Sequence, residues 1–413
     1  MKAIILLILA AGVSRAASLS ALTLTVPPAF EENRGQSPTA FRYVLGHLTM
    51  GFGCDGVYGG RTPLRPPSEI RFVDARTSCS AEASESDGTF TRFYRGGESI
   101  GPLPRYRVLR FRDVWPGVSL EYRANDSSLT ARFELRTAAD LRVIRLSAQS
   151  ILPGSNTIST NLGVWRISAS QGNEVAVSAR LDSLGVHFLA PAANPSLPMT
   201  LTMEVPVTIP TWSTRVFAAP QAIADAAGNW YFAGTTTVYS EADENSSICI
   251  EGGLTNHCPD AFVAMFDSKG AFRYAVYLLG SRYEQTGSIR TDLDGNIYVA
   301  GWTYSRDFPT TVGAIQTQYQ GPDEMRPVSR VYRGGDGFVA KIHGPTGGLI
   351  YSTLIGGKGE DTIQSLAVDT SGQTYLSMNS NMADLPLAGE AVTSAPHCCG
   401  RLMSISEDGS RIR

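Results

Sequence analysis

The sequence predicts an all-β chain built in two parts. Three observations carry this reading. Short runs alternate apolar and polar residues with a period of two, between clusters of Gly, Pro, Asn and Ser, as half-buried strands do. In the second half an Asp-x-x-Gly turn recurs between such runs. The composition fits many short strands: 41 of 413 residues are Gly, 16 are Tyr, and only 18% are charged, against roughly 25% in an average globular protein. No segment shows a convincing amphipathic helical period.

The chain opens with Lys2 and the apolar run Ala3-Ile-Ile-Leu-Leu-Ile-Leu-Ala-Ala-Gly-Val13, followed by Ser14-Arg15-Ala16. A positive start, a short apolar stretch and small residues at the cleavage positions describe a signal peptide over residues 1–16. The run is about half the ~20 residues a membrane span needs. No later stretch is longer, so the mature chain is expected to be exported, secreted or on the cell surface, with no transmembrane span of its own. The net charge of −3 leaves no basic footprint for nucleic acid.

Six cysteines agree with an oxidising compartment. Local spacing favours Cys54–Cys79 and Cys249–Cys258. Cys398 and Cys399 are adjacent; a vicinal bridge, free thiols and pairing elsewhere all stay open. No CxxC pairs occur, which argues against structural zinc.

Residues 17–207 read as a β-sandwich-like domain. Its strands include Arg105-Tyr-Arg-Val-Leu-Arg-Phe111, Val118-Ser-Leu-Glu-Tyr122 and Leu129-Thr-Ala-Arg-Phe-Glu-Leu135, and Asn125-Asp-Ser-Ser128 is a hairpin turn. Leu201-Thr-Met-Glu-Val-Pro206 closes the domain and leads into a linker.

Residues 208–413 repeat themselves. Ile223-Ala-Asp-Ala-Ala-Gly-Asn-Trp-Tyr-Phe-Ala-Gly234 recurs as Ile289-Arg-Thr-Asp-Leu-Asp-Gly-Asn-Ile-Tyr-Val-Ala-Gly301 and as Leu366-Ala-Val-Asp-Thr-Ser-Gly-Gln-Thr-Tyr-Leu-Ser377. A second unit, Asp260-Ala-Phe-Val-Ala-Met-Phe266, recurs as Asp336-Gly-Phe-Val-Ala-Lys-Ile342 and Gly400-Arg-Leu-Met-Ser-Ile405. A third reads Phe272-Arg-Tyr-Ala-Val-Tyr-Leu-Leu-Gly280 and Leu349-Ile-Tyr-Ser-Thr-Leu-Ile-Gly-Gly357. Four strands per repeat predict propeller blades. The Asp side chain accepts from the turn amides, and Gly supplies the positive φ. The excess length sits in two inserts, residues 239–259 and 316–335, of the kind that emerge on one face.

These repeats resemble the SBBP repeat, a β-propeller-type unit. One nearly complete unit is present: Asp292-Leu-Asp-Gly-Asn-Ile-Tyr-Val-Ala-Gly301, Ser305-Arg-Asp-Phe-Pro309, Asp336-Gly-Phe-Val-Ala-Lys341 and Tyr351-Ser-Thr-Leu-Ile-Gly-Gly357. In the next, Ala383-Asp-Leu-Pro386 replaces the Asp-Phe-Pro step. Phe30-Glu-Glu-Asn-Arg-Gly-Gln36 and Phe111-Arg-Asp-Val-Trp-Pro-Gly-Val118 resemble the domain that commonly precedes such repeats. The resemblance implies an exported or surface-associated bacterial protein, and it brings no reaction and no catalytic residues. About three four-stranded blades fall below the usual range of about four to eight. The expectation is therefore a partial propeller: a fragment (the favoured reading), a ring completed by partners, or an open arc. Trp212-Ser-Thr214, which matches Tyr351-Ser-Thr353, is a candidate closing strand.

Candidate chemistry is sparse. The five histidines show no metal-protease spacing. His257-Cys258 and His397-Cys398 precede the same strand of their repeats, and loop disulfides explain them more simply than a metal site. Asp292-Leu-Asp-Gly-Asn296 lacks the distal Glu of a calcium loop. Neighbouring Glu31 and Glu32 point to opposite faces of a strand, which leaves Asn33, Arg34 and Gln36 for structural hydrogen bonds. No Gly-x-Ser-x-Gly elbow occurs. Tyr231, Tyr298 and Tyr375 read as blade core. Trp302 and Tyr304, just past a strand end, are the first ligand-binding candidates.

The function expected is non-enzymatic: a scaffold that binds or displays a glycan, a protein or an envelope component, without cofactor or metal. The alternatives are an exported polysaccharide-acting enzyme with its site in the propeller funnel, and the structural stalk of a longer adhesin.

Overall fold

A computed structural model describes residues 26–35, 41–45, 50–58, 69–77, 79–147, 152–154, 156–160, 162–206, 221–235, 260–322, 335–380, 385 and 399–412. The signal segment, Cys249, Cys258, Cys398, His257, His397 and the candidate closing strand at Trp212 lie outside these residues.

Among the described residues the architecture is all-β, with one short 3-10 turn at Ala138–Val143. In the first part, antiparallel pairing runs from Glu69–Arg71 through Gly56–Tyr58, Gly51–Gly53, Tyr43–Leu45 and Phe30–Glu32 to Glu98–Trp115. It continues through Val118–Ala124, Ser128–Leu135 and Met199–Pro206 to Gly163–Gln171. A three-stranded sheet (Arg145–Leu146, Gly185–Leu189, Ser178–Asp182) joins it at an isolated Phe72–Leu146 bridge. Alternation explains the core. Leu129, Ala131, Phe133 and Leu135 are buried, while Arg132 and Glu134 between them face outward. Trp115, Tyr122 and Trp165 fill the same interior, and the Cys54–Cys79 disulfide staples its edge.

The second part forms three consecutive sheets. The first blade contains Gln221–Ala224, Trp230–Thr235, Ala261–Phe266 and Phe272–Leu279. The second contains Glu284–Thr291, Ile297–Thr303, Asp336–His343 and Gly348–Ile355. The third contains Asp361–Val368, Thr374–Ser380 and Cys399–Ile405, three strands among the described residues. The blades stack face to face. Ile289 and Ile297 pack with Ala233, Val263 and Val276; Ile363 and Leu366 pack with Tyr298, Ala300 and Val339. Inner strands approach so closely that a Cβ on Gly287 would lie 2.5 Å from the Ile363 carbonyl oxygen.

Each hairpin turn is built by its Asp. Asp292 Oδ1 accepts the amides of Asp294 (3.0 Å) and Asn296 (2.8 Å), and Gly295 takes φ +78°. Asp225 and Asp369 do the same in their repeats. The tyrosines two residues past the turn close the unit: Tyr231, Tyr298 and Tyr375 donate to these carboxylates at 3.0, 3.2 and 3.1 Å. Burial opposes ionisation of Asp292. The Asn296 side chain and backbone, with Lys341 Nζ at 3.6 Å, outweigh it and hold the carboxyl below its ordinary value.

The two parts are not independent. The strand Ala81–Arg95 forms a long hairpin with Glu98–Trp115, and its pairing breaks between Ser86 and Phe90, a bulge that bends the ribbon. Beyond the bulge, Phe90 to Arg95 pair in parallel with Tyr274 to Leu279, the outer strand of the first blade. Phe90 stacks on Tyr274 and Phe93 on Tyr277, centroids 5.2 and 4.9 Å apart. The Tyr94 hydroxyl accepts the Leu349 amide, and Arg92 donates to the Thr346 carbonyl, both in the second blade.

Beneath the hairpin lies a buried ion pair. Arg105 Nε stands 3.4 Å from Glu31 Oε1, and its guanidinium covers the Phe272 ring at 4.8 Å. Burial raises the Glu31 pKa, and Arg105 only partly offsets it.

Removing one partner strands a buried charge. Arg105→Ala should cost about 3–5 kcal/mol, and the double variant Arg105→Met with Glu31→Leu should recover most of that loss. Urea unfolding checks both. A single-variant loss below about 1 kcal/mol would show that the pair contributes no more than an exposed one.

Candidate functional site

Blade geometry gives the arc two unlike ends. At one end lie only short turns: residues 225–229, 292–296 and 369–373 between first and second strands, and 267–271 and 344–347 between third and fourth. At the other end each second strand hands over to its third through residues 236–260, 304–335 and 381–398, connections of unequal length. The connections between successive blades also lie there.

Two buried acid pairs sit at the base of this long-connection end. Asp260 heads the third strand of the first blade, and Glu284 heads the inner strand of the second. Asp336 and Asp361 take the same two places one blade on. Burial pushes the Glu284 carboxyl well above its usual range, and the neighbouring Asp260 charge pushes it further. Asp260 is raised by burial as well, while its hydrogen bond from Glu284 works the other way. The two carboxyls are coupled, and burial holds both above the ordinary carboxylate range. At the second pair, burial and repulsion from Asp361 raise Asp336 to about 7, against hydrogen bonds from the Gln320 amide and Gln316.

These acids fasten the loops to the strands. Glu284 Oε1 accepts from Thr303 Oγ1 (2.7 Å) and from the Ser305 hydroxyl. Ser305 Oγ accepts the Arg282 amide, and Asp307 Oδ1 accepts the Ser281 amide. Phe308 packs on Phe338, centroids 4.6 Å apart. The Ser305-Arg-Asp-Phe-Pro309 motif is thus a clasp between adjacent blades. Leu385 occupies the matching buried place in the third blade. Asp336 Oδ2 accepts from Gln316 Nε2 (2.7 Å) and the Gln320 amide (2.8 Å), and Gln316 Oε1 accepts the Gly356 amide. Cys399 pairs with Ser380 in the register in which Asp336 pairs with Thr303, so the acid gives way to a thiol residue in the third blade.

Glu284, Asp336 and Asp361 are buried and Asp260 is partly so, a placement that suits fastening. Among the described residues, no three His, Cys, Asp or Glu side chains converge as metal ligands. Nor is any helix there long and apolar enough to cross a membrane.

The two aromatic candidates both lie inside the second-blade region. Trp302 lies between Gln285 and Gly337 in the second-blade sheet and is only 8% exposed. Tyr304 is fully buried, its amide bonded to the Tyr283 carbonyl. Neither offers an open ring face. Tyr231 and Tyr298 are core as expected, but Tyr375 is 45% exposed. Among the described residues no further blade covers it.

Residues 277–309 match the family model SBBP, a beta-propeller repeat. The match starts in the outer strand of the first blade and ends with the clasp motif, so it spans one blade junction. Residues 67–200 match a domain of unknown function, DUF7948. The chain thus carries a propeller-type repeat region behind an N-terminal DUF7948 domain. No curated protein matches it.

Two outcomes follow. Asp336 binds its proton more tightly in the folded chain than in the unfolded one, so its contribution is full below pH ~4 and is lost as pH rises towards about 7. Unfolding free energies from urea titration should therefore fall across that window, by up to about 1.4 kcal/mol per pH unit from this group. Asp336→Asn should flatten the slope; an unchanged slope contradicts the assignment. Trp302→Ala should lower stability by about 3–5 kcal/mol, as for a core aromatic. A thermal scan of an unaltered Tm would place Trp302 at the surface instead.

Proposed function

We propose that the chain is an exported, non-enzymatic scaffold, secreted or held at the cell surface, that binds a glycan, a protein or an envelope component through its long-connection end. The observation that carries this reading is the contrast between the two ends of the blades. One end uses near-identical Asp-x-x-Gly turns. The other anchors connections of unequal length on a base of buried acids and strand-end clasps. A rigid frame with loops free to differ is how recognition is usually built on repeat folds. Val312, in the second-blade connection, is fully exposed beside Gly313 at φ +84°. Export is supported by the signal-like residues 1–16 and by the Cys54–Cys79 disulfide.

The test is a glycan and envelope-component binding screen with purified protein, repeated for Val312→Asp and for Leu293→Asp. Leu293 is exposed in a turn at the opposite end. Val312→Asp should weaken the strongest binder at least tenfold, and Leu293→Asp should leave it unchanged. Equal losses would reject the long-connection end as the binding face. Hydrolysis of any screened polymer would reject the non-enzymatic reading.

A further inference from the structure

The first blade has two apolar faces, and both are covered. Along its second and third strands, Tyr231, Ala233, Ala261 and Val263 pack with Ile289, Ile297 and Val299 of the second blade. The residues between them, Phe232, Phe262, Ala264 and Phe266, point the other way and form a separate buried cluster. These four hold the repeat places that Val299, Phe338, Ala340 and Ile342 hold in the second blade. The register shows the match: Phe232 lies across from Ala264 as Val299 does from Ala340, and Gly234 across from Phe262 as Gly301 does from Phe338. In the second blade these places seat on the first blade. In the first blade they are the seat for a preceding blade.

Residues of the N-terminal part occupy that seat. Phe93 and Leu103, from the two arms of the long hairpin, belong to the same cluster as Phe232, Phe262 and Phe266. Val26 and Ile100 pack against it. The Arg105 guanidinium covers the Phe272 ring and donates to the Pro27 carbonyl. Phe232, Phe262 and Phe266 are all buried, although no blade precedes theirs among the described residues.

We infer that the N-terminal part takes the place of a preceding blade, so that the repeats build an open arc capped at the first blade. In a closed propeller each blade rests on the one before it, and the last blade gives that support to the first. Here, among the described residues, the support comes from outside the repeats. A ring could close only by driving Phe93, Leu103 and Arg105 off the first blade. Repeat arrays need a cap of this kind, because a terminal unit otherwise leaves an apolar face in water. Further blades can then join only on the far side of the stack, and the arc encloses no funnel. A ligand is met by the blade ends and their connections instead, which agrees with binding at the long-connection end. A failed binding screen would leave this architecture standing.

The test is hydroxyl-radical footprinting of the intact protein across about a thousandfold range of concentration. A cap from the same chain is indifferent to mass action. Phe262, Phe266 and Phe272 should therefore stay equally protected throughout, and negative-stain images should show no closed ring. Phe93→Ala combined with Leu103→Ala should speed hydrogen exchange at residues 261–266 by about tenfold, while residues 338–342 of the second blade keep their rates. Protection that appears only as concentration rises, closed rings in the images, or unchanged exchange at residues 261–266 in the double variant would each overturn the inference. Should the double variant fail to fold, the concentration series on the unaltered protein decides alone.

Discussion

One carboxylate per repeat sets the rest of the second half in place. A two-strand turn leaves amide donors with no strand partner, and an unpaired donor next to a core is costly. Asp225, Asp292 and Asp369 each take two of those amides on a single oxygen and a tyrosine hydroxyl on the other. That fixes where the chain reverses, and hence which residues of both strands face which neighbour. A one-residue slip would send every inward side chain outward. The blade faces, the close approach at Gly287 and the placement of acids at the far strand ends all follow from a turn whose length cannot drift.

Much of this was legible in the amino-acid order because it is local. Asp, Gly and Tyr at fixed spacing announce the turn. Alternation in Leu129–Leu135 announces the sandwich-like sheet, and the recurrence of Phe-Val-Ala announces the third strand. The acid pairs were not legible in the same way. Asp260 and Glu284, or Asp336 and Asp361, are separated by a whole hairpin, and their meeting depends on how one blade lies on the next. A signal was present nonetheless: both acids head equivalent strands in two successive repeats. Trp302 and Tyr304 read as candidates just past a strand end, and the structure buries both. A strand end marks where regular pairing stops, not what folds back over it.

Tyr375 makes the same point from the other side. Its sequence context matches that of Tyr231 and Tyr298, and it makes the same bond to its own turn. Its surroundings differ only because burial of a blade face is supplied by the next blade. Repeat proteins inherit their stability from such nearest-neighbour contacts. One face of the first blade is closed by the N-terminal hairpin, where Phe93 and Leu103 join Phe232, Phe262 and Phe266. The N-terminal part acts as a cap for one side of the stack while serving as a domain with its own core.

The parallel ladder between residues 90–95 and 274–279 also constrains how the molecule comes into being. A chain emerging from its N-terminus completes the long hairpin well before the outer strand of the first blade exists. Through that interval an aromatic-rich β-edge has no native mate, the condition under which nascent chains associate wrongly. Pairing across so wide a separation is also slow, because loop closure precedes any gain. Assembly of the N-terminal module and of the first blade is thus one kinetic event.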